Sequence, residues 1–351
     1  RANSMFDKYL YLTNTSKQNR DHFKNYAKNI SNRVKKKKNI KILDVASNDG
    51  TFLNFFKSKK YYKLGVDPAR NVKKYAKEKG INQLILYFNE ETSRSIKSKY
   101  GLFDVITANH VCAHVDDLKN FVKGVKNLLK SDGFFSFEVS YLGDVIRKKT
   151  FDTIYHEHLD YHSLRPLISF FKKFKLEIFD FELVEAQGGS IRIYVSHQGS
   201  KKIKKNKIDR QVFLEKKKYK LFEFKSYQNF EKEINKTKNE LLKFIKTIKK
   251  RNKLIAGYGA AAKTTTLLNY FGITNKLLSF VVDDNKLKQG RFTPGTHIPI
   301  FHSEQIYKMK PDYIILLAWN YSNFIIKKHK RFLRIGGKFI IPFPKIKTIS
   351  N

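Results

Sequence analysis

Ile42-Leu43-Asp44-Val45-Ala46-Ser47-Asn48-Asp49-Gly50 is the stretch that decides the fold. An apolar run ends in a carboxylate, passes through small residues and reaches a glycine. That is the end of a buried strand and the opening of a helix. In a doubly wound sheet, ligands collect beyond the carboxyl ends of the strands and beside helix N-termini. Ala46, Ser47 and Gly50 let the backbone approach such a ligand closely. About twenty residues on, Gly65-Val66-Asp67-Pro68 ends the next strand with a carboxylate suited to the ribose hydroxyls of an adenosine. An Asp and a Gly at strand ends also occur in α/β proteins that bind no nucleotide.

Outward from this stretch the pattern alternates. Strands are expected at Ile40–Val45, Lys63–Val66, Gln83–Leu86, Phe103–Ala108 and Gly133–Val139, with helices at Gly50–Lys59, Val72–Lys79 and Leu118–Leu129. Short apolar strands alternating with helices imply a mainly parallel sheet covered on both faces. Glu177–Leu183 and Ser190–Ser196 read as two further strands of this sheet. From Tyr227 to Ile248, apolar residues recur at Tyr227, Phe230, Ile234, Leu241, Ile245 and Ile248, one stripe at helical spacing. A second βα series follows at Lys253–Gly257, Thr264–Tyr270, Leu277–Val282, Tyr313–Ala318, Asn323–Arg331 and Lys338–Ile341. The expected division is a helical lead-in over 1–30, a nucleotide-type domain over 31–200, a linker and connecting helix over 201–250, and a second Rossmann-like domain over 251–351.

The 351 residues carry a formal net charge of +40, which invites a nucleic-acid reading. The basic residues are mostly Lys and are spread along the chain, and runs such as Lys35–Lys38 fall where loops or helix ends are expected. A solvated face is the simpler reading, and nucleic acid is not expected as a partner. No apolar run reaches bilayer length, so no membrane span is expected. Cys112 is the one cysteine. It supports neither a disulfide framework nor a thiolate zinc site, and a reducing cytoplasm fits. No signal-like segment is read at the start, and the chain opens on Arg1 without an initiator Met, which suggests that residues precede it. The sequence leaves the oligomeric state open.

The three-glycine NAD fingerprint is missing after the first strand. The looser loop with Asp44 before it resembles the class I methyltransferase pattern, and Phe103-Asp104-Val105-Ile106-Thr107-Ala108-Asn109-His110 resembles the strand that opens onto the methyl donor there. Farther on, three His, one Glu and two Tyr fall within Tyr155–His162. Taken alone, this cluster reads as a general acid–base group, a polar loop, or a metal site through His156, His158 and His162. Its spacing is not that of a helical His-Glu-x-x-His motif.

The Tyr155-His156-Glu157-His158 run resembles the Tyr-x-Glu-His signature of sugar C-methyltransferases. Further blocks resemble that family in order and spacing: Phe6-Asp7-Lys8-Tyr9-Leu10-Tyr11, Phe88-Asn89-Glu90-Glu91-Thr92, Asn109 through His114 to Leu118, Gln187-Gly188-Gly189-Ser190-Ile191-Arg192, Gly257-Tyr258-Gly259-Ala260-Ala261-Ala262-Lys263, Asp283 to Gly290, and Pro294 to Ile300.

The resemblance implies a class I methyltransferase domain followed by a second Rossmann-like α/β domain. S-adenosylmethionine would be the methyl donor, and a nucleotide-linked keto-deoxysugar would be methylated at carbon. It implies His158 as the base that removes the proton beside the ketone, since imidazole titrates near neutral pH. Glu157 would orient that base or hold the substrate, Tyr155 and His114 would donate to the enolate or hold the sugar, and Tyr9 would close over it. Asp44, Ser47, Asn48, Gly50, Asp67, Pro68, Asn89, Asn109 and His110 are the expected donor-binding residues. Arg192, Gly257, Gly259, Lys263 and Asn320 are the expected substrate-binding ones. Relatives usually begin with a small zinc domain built on paired cysteines; none is present here, and neither zinc nor any other metal is expected in this chain. Gln187, Ala46 and Thr264 depart from residues common in the family, namely His, Gly and Gly. Methylation at oxygen or nitrogen, or a non-catalytic nucleotide-sugar or nucleic-acid binding role, are the competing readings.

Overall fold

The computed structural model describes residues 6–7, 12–15 and 17–351, which fall into two compact units. The first comprises residues up to Tyr141 together with Leu159–Lys218; the second comprises Leu142–His158 and Tyr219–Asn351. The histidine-rich loop up to His158 therefore groups with the second unit.

The first unit is built on seven strands: β1 (Ile40–Val45), β2 (Tyr61–Val66), β3 (Asn82–Leu84), β4 (Phe103–Asn109), β5 (Leu129–Ser140), β6 (Leu176–Val184) and β7 (Ser190–His197). Their order in the sheet is β3-β2-β1-β4-β5-β7-β6, and β7 runs antiparallel to both neighbours. The chain steps from β1 to β2 on one side and reaches β4 on the other. The carboxyl ends of β1 and β4 thus flank a topological switch point, where a ligand crevice is expected. Helix α1 (Lys17–Arg33) buries Tyr26, Ala27 and Ile30, which join Ile40, Ile42, Phe52, Leu53, Phe56 and Tyr194 in one apolar core. Gly65, in β2, is required for close packing: a Cβ there would lie 2.4 Å from Ser47 Oγ.

Two further helices cover this sheet. Helix α2 (Glu90–Tyr100) begins with a reciprocal cap between Asn89 and Thr92, and α3 (Leu118–Leu128) with an Asp117 cap. Expected element positions hold, with shifted ends. The helix expected over Gly50–Lys59 shrinks to Thr51–Asn54, and the strand expected from Gly133 begins at Leu129.

The second unit holds β8 (Ile255–Tyr258), β9 (Phe280–Val282), β10 (Ile300–Phe301), β11 (Tyr313–Leu316), β12 (Lys338–Ile341) and β13 (Lys347–Ile349). The order is β10-β9-β8-β11-β12-β13, parallel except for β13. Helix α4 (Phe224–Lys250) buries Ile234, Leu241, Ile245 and Ile248 on one stripe, as its periodicity predicts, and they pack with Ile255 and the apolar face of α5 (Ala262–Phe271). Phe151 belongs to the same core, its ring stacked on Phe271 at 5.2 Å.

Candidate active site

The loop after β1 folds around two carboxylates. Ala46 and Asn48 take left-handed backbone conformations, as does Gly50, so the chain turns tightly over the strand end. Asp67, at the tip of β2, accepts the amides of Asn48 (2.8 Å) and Ala69 (2.9 Å). Burial nevertheless raises its pKa, against the pull of those two amides. Asp44 is fully enclosed and accepts the hydroxyl of Thr107 (2.6 Å) and the amide of Asn109 (3.3 Å). Burial pushes its pKa up to about 7; Thr107 and Asn109 oppose this, and the nearby charge of Asp67 adds to it. The carbonyl oxygen of Asn109 has no hydrogen-bond partner among the described residues.

This donor set is acceptor-rich: two carboxylates and an unmatched amide oxygen. S-adenosylmethionine carries a sulfonium, an ammonium and ribose hydroxyls, so the residues fit it. Ser47 and Asn48 sit in the same loop, their shape locked by Gln83, whose side chain donates to Ser47 Oγ (2.8 Å) and to the Asn48 carbonyl (2.7 Å). The Asn48 side chain also receives the Thr13 amide at 3.0 Å, so the lead-in chain closes on this loop. Asp7 accepts from Tyr87 at 3.1 Å, and Phe6 meets His114 edge-on at 6.0 Å. Tyr9 lies outside the described residues. Pro68 follows Asp67 half-buried, while Asn89 uses its carbonyl oxygen as the α2 cap.

His110 follows Asn109 with φ 54°, a conformation seldom adopted outside glycine and asparagine. Its Nε2 faces Glu138 Oε1 at 3.2 Å, and His22 of α1 meets the same oxygen at 2.8 Å. Glu138 is fully buried at the end of β5 and takes two further bonds from Arg192, at 3.1 and 2.9 Å. Despite burial, the hydrogen bonds of His110 and His22 hold its carboxyl well below the usual range. Arg192 also pairs with Glu182 (3.0 Å) and lies over the Tyr26 ring at 3.6 Å. All three guanidinium nitrogens are thereby committed within the first unit, and the structure places Arg192 in a buried network. Sequence reasoning missed Glu138 and His22. The available signal was a lone acid in the apolar run Phe134–Val139.

In the second unit, Phe151–Thr153 forms a single turn ahead of the signature loop. His158 Nδ1 lies 2.8 Å from the Thr153 carbonyl, and its Nε2 lies 3.2 Å from the Tyr155 hydroxyl. A carbonyl only accepts, so Nδ1 carries the proton and Nε2 presents its lone pair. Tyr155 stacks obliquely on the imidazole at 4.3 Å. Glu157 is half-buried, its pKa raised by burial and drawn back by His156, which is itself exposed. Among the described residues no group of His, Cys, Asp or Glu is arranged to hold a metal.

Gly257 and Gly259 show close packing: an added Cβ would sit 2.5 Å from Leu317 Cδ1 or from the Ala318 side chain, respectively. Lys263 is half-buried near the start of α5, its pKa lowered by burial against the attraction of Asp152. Asn320 lies half-buried in the turn after β11, between Trp319 and Tyr321.

A family model described as the C-methyltransferase C-terminal domain matches residues 185–344, and a methyltransferase-domain model matches residues 18–180. The C-methyltransferase NovU of Streptomyces niveus is 32% identical over 309 residues, covering 88% of this chain and 73% of that protein. The chain belongs to the C-methyltransferase family. It is an S-adenosylmethionine-dependent methyltransferase of the class I fold, and the C-methyltransferase reading drawn from its ordered motifs holds. Solved structures align on half of the chain. The PH0226 protein of Pyrococcus horikoshii OT3 is 15% identical over 54% of this chain and 95% of its own, with a TM-score of 0.42. An S-adenosylmethionine-dependent methyltransferase of Clostridium acetobutylicum ATCC 824 is 16% identical over 50% and 92%, with a TM-score of 0.39. No helix among the described residues of this C-methyltransferase is long and apolar enough to cross a membrane.

Proposed function

We propose that this enzyme methylates the carbon beside the ketone of a nucleotide-linked keto-deoxysugar, with His158 as the base. The observation that carries this reading is the preset imidazole: Nδ1–H is tied to the Thr153 carbonyl, and Nε2 is the accepting nitrogen, beside the Tyr155 hydroxyl. Methylation at oxygen or nitrogen needs no removal of a carbon-bound proton, whereas methylation at carbon does. A neutral imidazole with an accepting nitrogen suits that step. As a carbon proton moves to Nε2, the Tyr155 hydroxyl is released from the histidine and becomes a donor for the developing enolate oxygen. Glu157 orients the base or holds a sugar hydroxyl, and His114 is a second donor to the sugar.

S-adenosylmethionine supplies the electrophilic methyl group. Asp67 holds its ribose, and Asp44 with Asn109 meets its amino-acid end. Ser47, Asn48, Gly50, Pro68, Asn89 and His110 shape the same crevice. In the second unit, the start of α5 favours phosphate through its backbone amides and Lys263. Asn320, beyond β11, is a further contact for the nucleotide. The setting is cytoplasmic.

Solvent deuterium exchange at the carbon beside the ketone, measured without donor, tests the base assignment. Wild type exchanges and His158→Gln does not, while binding of S-adenosylmethionine is retained by both. A wild-type enzyme that transfers methyl without ever exchanging that proton would move the reading to oxygen or nitrogen.

A further inference from the structure

We infer that Asp152 is a positioning residue for His158, acting through the Thr153 carbonyl, with Trp319 and Lys263 holding it in place. The inference rests on the assignment of His158 as the base.

Asp152 is 1% exposed, in a turn of three residues that ends on Thr153. Its Oδ2 accepts the indole N–H of Trp319 at 2.7 Å, while Oδ1 has no hydrogen-bond partner among the described residues. Burial raises its pKa, and the charge of Lys263, the Trp319 hydrogen bond and the backbone amides of Asp152 and Thr153 pull it back. The carboxylate therefore joins the turn itself to Trp319.

What the carboxylate does is fix the turn. Phe151 is stacked against Phe271 on one side, and Asp152 is tied to Trp319 on the other. Between these two anchors the Thr153 carbonyl cannot swing. It accepts from the Tyr155 amide at 3.1 Å and from His158 Nδ1 at 2.8 Å, so it decides which imidazole nitrogen carries the proton. A carbonyl turned away would free Nδ1 and let the opposite tautomer form, with Nε2 protonated and unable to accept. Lys263 stands two residues into α5, at the helix end proposed for phosphate, so the same carboxylate is shared with the nucleotide side of the unit.

The test uses Asp152→Leu, which keeps the bulk of the side chain but removes the acceptor for Trp319. Donor-free deuterium exchange is followed with a keto-sugar nucleotide, and the His158 ring nitrogens are observed by NMR. The expected result is an exchange rate about 10- to 100-fold lower with KM for the sugar nucleotide nearly unchanged, and a growing population of the Nε2–H tautomer. Trp319→Phe, which removes the donor from the same hydrogen bond, moves both readouts in the same direction; it decides the matter if Asp152→Leu does not fold. Asp144→Asn, a buried acid in the helix Leu142–Lys148, leaves both unchanged. Unaltered exchange and tautomer in Asp152→Leu, alongside total loss in His158→Gln, overturns the positioning role and leaves the base assignment intact. Full exchange in His158→Gln removes the base assignment itself.

Discussion

Binding of S-adenosylmethionine to this enzyme should release a proton, and the amount follows from Asp44. That carboxyl is fully buried, with its pKa pushed up to about 7, so in the free protein it is protonated for about 0.9 of molecules at pH 6, about 0.5 at pH 7 and about 0.1 at pH 8. A cationic donor placed against it favours the ionised form and returns the pKa toward the ordinary range near 4. The proton release per donor bound is then close to those same fractions. Calorimetry in buffers of different ionisation enthalpy measures it directly. Asp44→Asn should abolish the release, and S-adenosylhomocysteine, which keeps the ammonium of the amino-acid end, should retain most of it. Release that is flat between pH 6 and pH 8, or that persists in Asp44→Asn, would refute the placement of the cationic ligand beside this carboxylate.

Four further outcomes are expected. Asp67→Ala removes the charged acceptor proposed for the ribose, worth about 1.5–3 kcal/mol, so donor affinity should fall by roughly 10- to 150-fold in a titration; affinity within threefold of wild type would sink the placement. Glu138→Gln strips the charge facing Arg192 inside the first unit and should cost about 3–5 kcal/mol, read as a clearly lower melting temperature, whereas an unchanged melt would show the network to be dispensable. Because the folded pKa of Glu138 is depressed, its stabilisation is present above the unfolded carboxyl pKa and lost as pH falls through the folded one; the variant should therefore show a shallower acid decline. Asp44 has the opposite sign: its raised pKa gives stability below about pH 4 that is lost as pH rises through about 7, so Asp44→Asn should gain on wild type in melting temperature from pH 5 to pH 8, and an equal difference at both would contradict it.

The parts of the molecule that were legible in the sequence are those set by local pattern. β1 runs from Ile40 to Val45 as its apolar run dictates, and the α4 stripe is buried from Ile234 through Leu241 and Ile245 to Ile248, while Tyr227 at its start is exposed. Elements decided by partners were less legible. Helix α2 buries only Ser93 and Ile96, too little for an apolar period to show. The helix expected over Asn323–Arg331 breaks at His329, whose ring is drawn between the hydroxyls of Tyr258 (3.1 Å) and Tyr307 (3.0 Å). The same limit applied at the site. Asp44, Asp67, Asn109 and His158 announce themselves by strand ends and motif. Glu138 depends on His22, His110 and Arg192, which come from a helix, a loop and another strand, and no single window contains them. Arg192, quoted within a motif block, is bound up in that network.

Where the methyl group lands is the most direct test of the whole account. A keto-deoxysugar nucleotide incubated with donor carrying an isotopically labelled methyl, and read by NMR, should show that methyl bonded to the carbon beside the ketone. Label found on oxygen or nitrogen of the sugar would contradict it.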